Sequence, residues 1–405
     1  MGCFAIYLLA TALFRSISMS DAKNEIVIFD DAQSILEEFA ELPDPRSTIN
    51  RKHLLGELIV ICVLAVISGC DGPLSIGTWA QEKRKWLLAN LKLPNGIPSH
   101  DTIGRLLASL KPDAFQKCFQ SWTARIRPQE EMSSEQIAID GKVLRRSHDR
   151  RENLGALCLV SAWSVDRGLS LGQLAAEAKS NEITAIPELL ENIELKGAVI
   201  TIDAAGTQTH IAKQIIRGGG DYVLSLKGNQ STIHDDTKAY IEKHMANDFT
   251  DIVVRTCQAK SKGHGRLDEI TYYQMKVPHE LSSRNDWAGL NTIGIAIRHS
   301  EKNGKETGDV RYYISSLGLG VKKFAKYIRG HWAIENTLHW CLDVTFREDE
   351  SRVRNRITAN NLAWLKRFTI GVLKQVDDKH SVAMRRRIAG WNIDYLAQVL
   401  GIKGT

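Results

Sequence analysis

The stretch GAVITIDAAG, residues 197–206, decides how the middle of this chain folds. A run of apolar, mostly β-branched residues ends at Asp203 and a turn of small residues, which reads as a buried strand. Side chains alternate across a strand, so Val199, Thr201 and Asp203 share one face and Ile200 and Ile202 the other. The next segment, THIAKQIIRGGG, reads as a helix stopped by glycines, and DYVLSLKGNQ as a further strand. Upstream, QIAIDGKVLRR and ALCLVSAWSV alternate as strands separated by a polar turn. In QIAID, Ile137 and Ile139 face one way, and Ala138 and Asp140 the other. GQLAAEAKSNEITAIPELLENI combines strand and helix. Strands first, then strand and helix in alternation, predict an α/β domain.

Outward from this centre the pattern changes twice. Residues 25–128 read as an all-helical N-terminal accessory domain. There HLLGELIVICVLAVISG (53–69) is a buried helix with a glycine stop, and PSHDT (98–102) supplies a stop and an N-cap for IGRLLASL. Residues 231–316 read as a β-rich insertion, with DIVVRTCQA, LDEITYYQMKV, LNTIGIAIRH and DVRYYISSL joined by charged, glycine-containing turns. The α/β core, begun over 133–230, resumes over 317–375, and 376–405 is expected to be a basic tail. Residues 1–24 form an uncertain leader. GCFAIYLLATALF is too short to span a membrane, and the polar MSDAKNE after it suits a cytosolic start.

The 405 residues are 43% hydrophobic and 25% charged, an ordinary soluble composition with room for two or three domains. The formal charge is +6, but it is unevenly spread: Val321–Arg387 carries fifteen Lys and Arg against seven Asp and Glu. Such a patch suits a polyanion, nucleic acid above all, or a solvated helix face. Arg385, Arg386 and Arg387 read as a DNA-facing or solvated run. None of the seven cysteines forms a CxxC pair, which fits buried thiols in a reducing cytoplasm and excludes a cysteine zinc site or a disulfide framework.

Three carboxylates stand out. Asp140 and Asp203 each end an apolar strand, where a buried charge needs a cation or hydrogen bonds, although an Asp after a strand is also a common turn former. Glu335 lies in HWAIENTLHWCLDVTFREDESRVR (331–354), where His331, Glu335 and His339 fall on one helical face beside an apolar stripe of Ile334, Leu338 and Cys341. Trp163, Trp332, Trp340 and Trp364 are expected in the core. Zinc at HxxxExxxH is disfavoured because HExxH spacing is absent. Two Asp and a Glu are hard oxygen ligands that suit Mg²⁺ or Mn²⁺, and two such ions could activate a water or a 3′-OH on a phosphodiester.

Nine ordered motifs carry a resemblance: DPRS (44–47), GIPSHDT (96–102), IDGKVLRRS (139–147), KSNEITAIPELL (179–190), TIDAAGTQ (201–208), DYVLSLKGNQ (221–230), GHGR (263–266), RYYISSL (311–317) and RGHWAIENTLHWCLDVTFREDESRVR (329–354). From about Asp30 onward the chain resembles the DDE transposases of bacterial insertion sequences, in the group that includes the H-repeat-associated proteins of Rhs elements. The resemblance implies an RNase H-like catalytic core interrupted by the β-rich insertion. It assigns the acidic triad to Asp140, Asp203 and Glu335, holding two Mg²⁺ or Mn²⁺ ions. The implied reaction is metal-dependent hydrolysis at the element's ends, then attack of the freed 3′-OH on target DNA. Implied partners are double-stranded DNA and a second copy of the chain in a synaptic homodimer, with a cytoplasmic location on the nucleoid.

The chain departs from the wider family where His331 replaces an expected Arg and Leu342 an expected Lys. His331, Arg329, His339 and Arg352 are therefore candidates to hold the scissile phosphate. Arg145 and Arg146 would border the pocket. Lys227 and Asn229 contact DNA or form a strand-to-helix turn, and His264 and Arg266 grip phosphate or tip a solvated hairpin. Competing expectations are a catalytically inactive DNA-binding relic and an RNase H-like nuclease.

Overall fold

A computed structural model describes residues 37–49, 51–125, 135–149, 152–176, 182–263 and 266–400. The leader reading for 1–24 and His264 lie outside the described residues. Helices α1 (Leu55–Ile67), α2 (Pro73–Glu82), α3 (Arg84–Asn90), α4 (His100–Ser109) and α5 (Pro112–Arg125) come first. Strands β1 (Gln136–Leu144), β2 (Leu157–Ser164) and β3 (Leu169–Ala176) follow. Then come α6 (Glu182–Glu191), β4 (Val199–Ile202), α7 (Thr209–Arg217), β5 (Asp221–Leu226) and α8 (Ser231–Met245). Strands β6 (Val254–Gly263), β7 (Arg266–Lys276), β8 (Thr292–Lys302) and β9 (Lys305–Ser315) precede α9 (Val321–Ile334). Helices α10 (Arg356–Gln375), α11 (Val382–Trp391) and α12 (Ile393–Val399) complete the chain. No described helix is long and apolar enough to cross a membrane.

All nine strands form one sheet, in the order β3-β2-β1-β4-β5-β9-β8-β7-β6. Strands β1 to β3 are antiparallel neighbours, and β1, β4 and β5 run parallel. The β-rich segment is thus no separate sheet: β9 pairs antiparallel with β5 and extends the same ladder. The alternation expected in β4 is present. Ile200 and Ile202 pack with Ile137, Ile139 and helices α6 and α7, whereas Val199 packs with α9 through Phe324, Ala325, Tyr327 and Ile328. Helices therefore cover both faces.

The N-terminal helices do not keep a core to themselves. Leu58–Ile67 of α1 are buried all round and share one cluster with Trp364, Leu365 and Phe368 of α10. Gly69 follows α1 at φ 109°, a left-handed stop that only glycine takes without strain. Ser99 caps α4 by accepting from the Thr102 amide. Helix α9 lies close on the sheet because Gly330 has no side chain: a Cβ there would collide with the carboxamide of Gln136.

The expected basic tail is instead two helices, and its arginines are not a solvated run. Arg385 and Arg386 are buried. Arg386 donates to the carbonyls of Val66 (3.2 Å), Thr345 (2.5 Å) and Cys70 (3.3 Å) and to Asp71 Oδ1 (3.0 Å), with its guanidinium over Phe346. Arg385 reaches the carbonyl of Leu373 and both the carboxylate and carbonyl of Asp378. These cations sit where helices end and leave carbonyls unsatisfied, which favours positive charge. Only Arg387 is exposed. Replacing Arg386 with Ala removes its bonds to three carbonyls and Asp71, so it should lower stability in urea by roughly 3 kcal/mol, against about 0.5 or less for Arg387→Ala.

Candidate active site

Parallel pairing sets Ile139 opposite Ile202, so the next residues, Asp140 and Asp203, lie side by side; Asp203 follows the end of β4, but Asp140 does not end its strand as expected, because β1 continues to Leu144 against β2. Glu335 arrives from α9. The three carboxylates line one cavity of about 160 Å³ together with Thr201, Ser225, Lys227, Arg311, Tyr327, His331 and Trp332.

The turn after β4 is tightly specified. Asp203 Oδ1 accepts from the Gly206 amide at 3.1 Å, and Thr207 Oγ1 donates to the carbonyls of Asp203 and Ser225. A side chain on Gly206 would strike Ile186 and Ile202. Asn229 Nδ2 donates to the Ala204 carbonyl at 2.7 Å, and Gln230 Nε2 reaches the same carbonyl and that of Thr207. Asn229 thus holds the loop against the Asp203 turn and does not cap α8, whose N-cap Gln230 makes no side-chain cap bond.

Helix α9 does not continue as an α-helix. Glu335–His339 and Cys341–Thr345 are π turns. Extra-wide turns inside helices cluster at functional sites. They also explain Trp340, which was expected in the core but is 55% exposed. At α-helical spacing it would stand about 140° round the axis from Glu335. The Trp340 amide bonds the Glu335 carbonyl instead, and this i→i+5 closure brings Trp340 back towards Glu335, on the solvent side. Trp163 and Trp364 are buried as expected, and Trp332 is half-buried.

Electrostatically the cavity is unbalanced. Burial first, then the Asp203 charge, pushes the Asp140 carboxyl up to about 7, with Glu182 and Glu335 adding to the effect and the Gly141 amide opposing it. Glu182 is a fourth acid, missed in the sequence because it sits in a helical segment without distinguishing periodicity. Its carboxylate crowds the Gly141 backbone and accepts from Cys158 Sγ at 3.6 Å, and burial followed by Asp203 raises its own pKa. His339 Nδ1 stands 3.6 Å from Asp140 Oδ2, but burial and then Arg367 depress His339 to about 3. Burial likewise lowers His331 to about 4. Both imidazoles are neutral at pH 7, and neither offsets the carboxylates.

Acids that follow the Glu335 helix are neutralised. Lys142 reaches Asp343 (2.7 Å) and Asp349 (3.4 Å), Arg145 reaches Asp349 (3.1 Å), and the fully buried Arg367 pairs with Glu348 (3.0 Å). Among the described residues, Asp203 and Glu335 have no such cation, and no three His, Cys, Asp or Glu are drawn close enough to hold a metal ion. The donor set still suits a hard divalent cation, because converging oxygens that hold a carboxyl near pH 7 are what such an ion relieves.

The other expected residues separate. Lys227 and His331 line the cavity and His339 borders Asp140. Arg145 is engaged by Asp349; Arg146, Arg329 and Arg352 are exposed and do not line the cavity. Arg266 opens β7, and its side chain lies outside the described residues.

A family model described as the transposase DDE domain matches residues 131–370, and one described as DDE_Tnp_1-associated matches 36–123. YncI of Escherichia coli O157:H7, named as an inferred transposase, is 37% identical over 373 residues, covering 91% of this chain and 94% of that protein. YhhI of Escherichia coli K12, named as an H repeat-associated inferred transposase, is 35% identical over 381 residues, covering 92% and 99%. A piggyBac transposase synaptic complex with hairpin DNA gives a TM-score of 0.38 at 11% identity, covering 92% and 79%, too low to carry an argument about fold.

The Asp140 shift makes a stability prediction. Its folded value of about 7 lies above the ordinary 3.8, so the folded state keeps a proton that the unfolded chain loses, and stability falls as pH rises from about 4 to 7. His331 and His339 act oppositely, costing stability as pH drops below 6.5. Comparison with Asp140→Asn isolates the carboxyl. In chelator-containing buffer the variant should match wild type near pH 4 and be more stable at pH 8, by on the order of a few kcal/mol in urea unfolding. A gap independent of pH would contradict the assignment.

Proposed function

Because the chain belongs to the transposase DDE-domain family, we propose that it cuts the ends of its own insertion element by phosphodiester hydrolysis and joins the freed 3′-OH to target DNA. The observation that carries this reading is the convergence of Asp140, Asp203 and Glu335, from two parallel strands and a π turn, on one cavity. An RNase H-like core is supported by the run β3-β2-β1-β4-β5, three antiparallel strands followed by two parallel ones, with Asp140 in the middle of β1 and Asp203 just past the end of the adjacent β4.

Asp140, Asp203 and Glu335 would hold Mg²⁺ or Mn²⁺, two ions in the family's manner, and these would supply Lewis-acid stabilisation of the reacting phosphodiester. The chain's own residues bind and orient. Thr201 Oγ1 accepts from Gln136 Nε2 at 3.1 Å and stands 3.1 Å from His331 Nδ1. His331 is a neutral imidazole at the cavity at pH 7. It serves a phosphate oxygen without the full charge of the arginine expected there. DNA is the partner, and a homodimer is the assembly that engages two ends.

Purified protein incubated with DNA bearing the element's ends and Mg²⁺ should cleave them, and Glu335→Gln should lose roughly 10³-fold in rate while still binding the same DNA. A second readout is independent of activity. Mg²⁺ should raise the melting temperature of wild type at pH 8 and leave that of Glu335→Gln nearly unchanged. Equal cleavage by both proteins would remove Glu335 from the site. End binding with no cleavage by either would favour the inactive relic.

A further inference from the structure

We propose that Arg311, with Lys227 beside it, forms an anion-binding wall that holds the phosphodiester against the three carboxylates. This rests on the reading of the cavity as a site for DNA, and it assigns a role to a residue that lies outside both the acidic triad and the basic run at 321–387. Arg311 comes from β9, the last strand of the β-rich segment. Pairing of Leu226 with Tyr312 puts the next residues out, Lys227 and Arg311, opposite each other where β5 ends and β9 continues against β8 alone. Both line the cavity that Asp140, Asp203 and Glu335 enter from β1, β4 and α9. The cavity therefore has an acidic side and a cationic side.

Arg311 is held as a pre-set fork. Its guanidinium stacks over Trp332 at 5.1 Å, and its Nε donates to Asp309 Oδ2 at 2.8 Å. The stack accounts for a tryptophan next to His331 that is only half-buried. A ring face orients the guanidinium without consuming its N–H groups, and the single bond to Asp309 leaves both Nη groups without a hydrogen-bond partner among the described residues. A planar fork with two free amino groups suits two oxygens of a phosphodiester. Lys227, exposed and without an ion pair among the described residues, adds a point charge. Arg311 is ion-paired with Asp309 through Nε alone, as Arg145, which does not line the cavity, is with Asp349; Lys142 is held by both Asp343 and Asp349, and Arg367 is buried against Glu348.

The test uses the full chain and a fluorescein-labelled 40-base-pair duplex from the element's boundary, with binding read by anisotropy across a NaCl series. Each phosphate contact contributes about 0.9 to the slope of log affinity against log salt. Arg311→Gln is expected to bind about tenfold more weakly near 0.1 M salt and to lower the slope by about one. Arg311→Lys should keep the slope and lose part of the affinity. A purely structural role for Arg311 would lower the melting temperature and leave the slope at the wild-type value, which overturns the proposal. Arg311→Met, which keeps the stem over Trp332, decides the same point should Arg311→Gln fail to fold. Absence of any DNA binding by wild type would sink the nucleic-acid reading itself, and this inference with it.

Discussion

The site depends on one buried amide. Gln136 is fully buried at the start of β1, and its Nε2 donates to the Tyr327 carbonyl on α9 (2.7 Å) and to Thr201 on β4 (3.1 Å). Those are the three elements that carry the cavity's carboxylates. A buried amide without partners costs several kcal/mol, so the three elements are held to one arrangement. The contact is possible only because Gly330 lets the helix approach. Glu335 lies five residues further on, about 7–8 Å along the axis, close enough that the root contact fixes where it emerges. Through Thr201 the same amide reaches His331.

Against that rigid root the chain tolerates an electrostatic cost at the cavity that it avoids elsewhere. The acids just beyond the Glu335 helix, Asp343, Glu348 and Asp349, each meet a cation. Arg347 and Glu350 also pair with each other. Asp140 meets Asp203, Glu182 and Glu335 instead, and its nearest base is a neutral histidine. The irregular backbone falls in the same place, because the two π turns begin at Glu335. Unrelieved like charge and non-ideal helix both lower stability, and both sit where the carboxylates converge. That coincidence is the pattern expected of a functional site more than of a structural ion cluster.

Much of this was legible because strands write their geometry with a period of two. The alternation in AVITID and QIAID gives the correct faces for Val199, Ile200, Ile202, Ile137 and Ile139, and the order of elements gives the α/β class. The helix bearing Glu335 was harder. Placing His331, Glu335 and His339 on one face assumed 3.6 residues per turn, and no residue in ENTLHWCLDVT announces a π turn, so Trp340 was misplaced. The arginines of α11 were misread for a different reason. Charge alone suggests solvent, but carbonyls near the ends of α1, α10 and the π turn are partners that only the folded chain brings together. Composition likewise could not show that α1 and α10, nearly 300 residues apart, share one core.

The position of the β-rich segment acquires a physical reason from the sheet. A segment inserted between β5 and α9 could have folded apart, leaving the site to the strands on either side. Instead β9 returns against β5 in register, and the sheet runs unbroken from β3 to β6. That pairing buries Tyr313 against Phe324 of α9, so the inserted strand also supports the helix that carries Glu335. It brings Arg311 and its Trp332 platform to the edge of the cavity as well. Trp332 lies on α9, three residues before Glu335. The guanidinium and the carboxylate are therefore positioned by the same helix, and a shift of that helix relative to the sheet would move both together. In this architecture the cationic and acidic sides of the cavity share a mechanical frame, although the strands that deliver them are separated by the whole insertion.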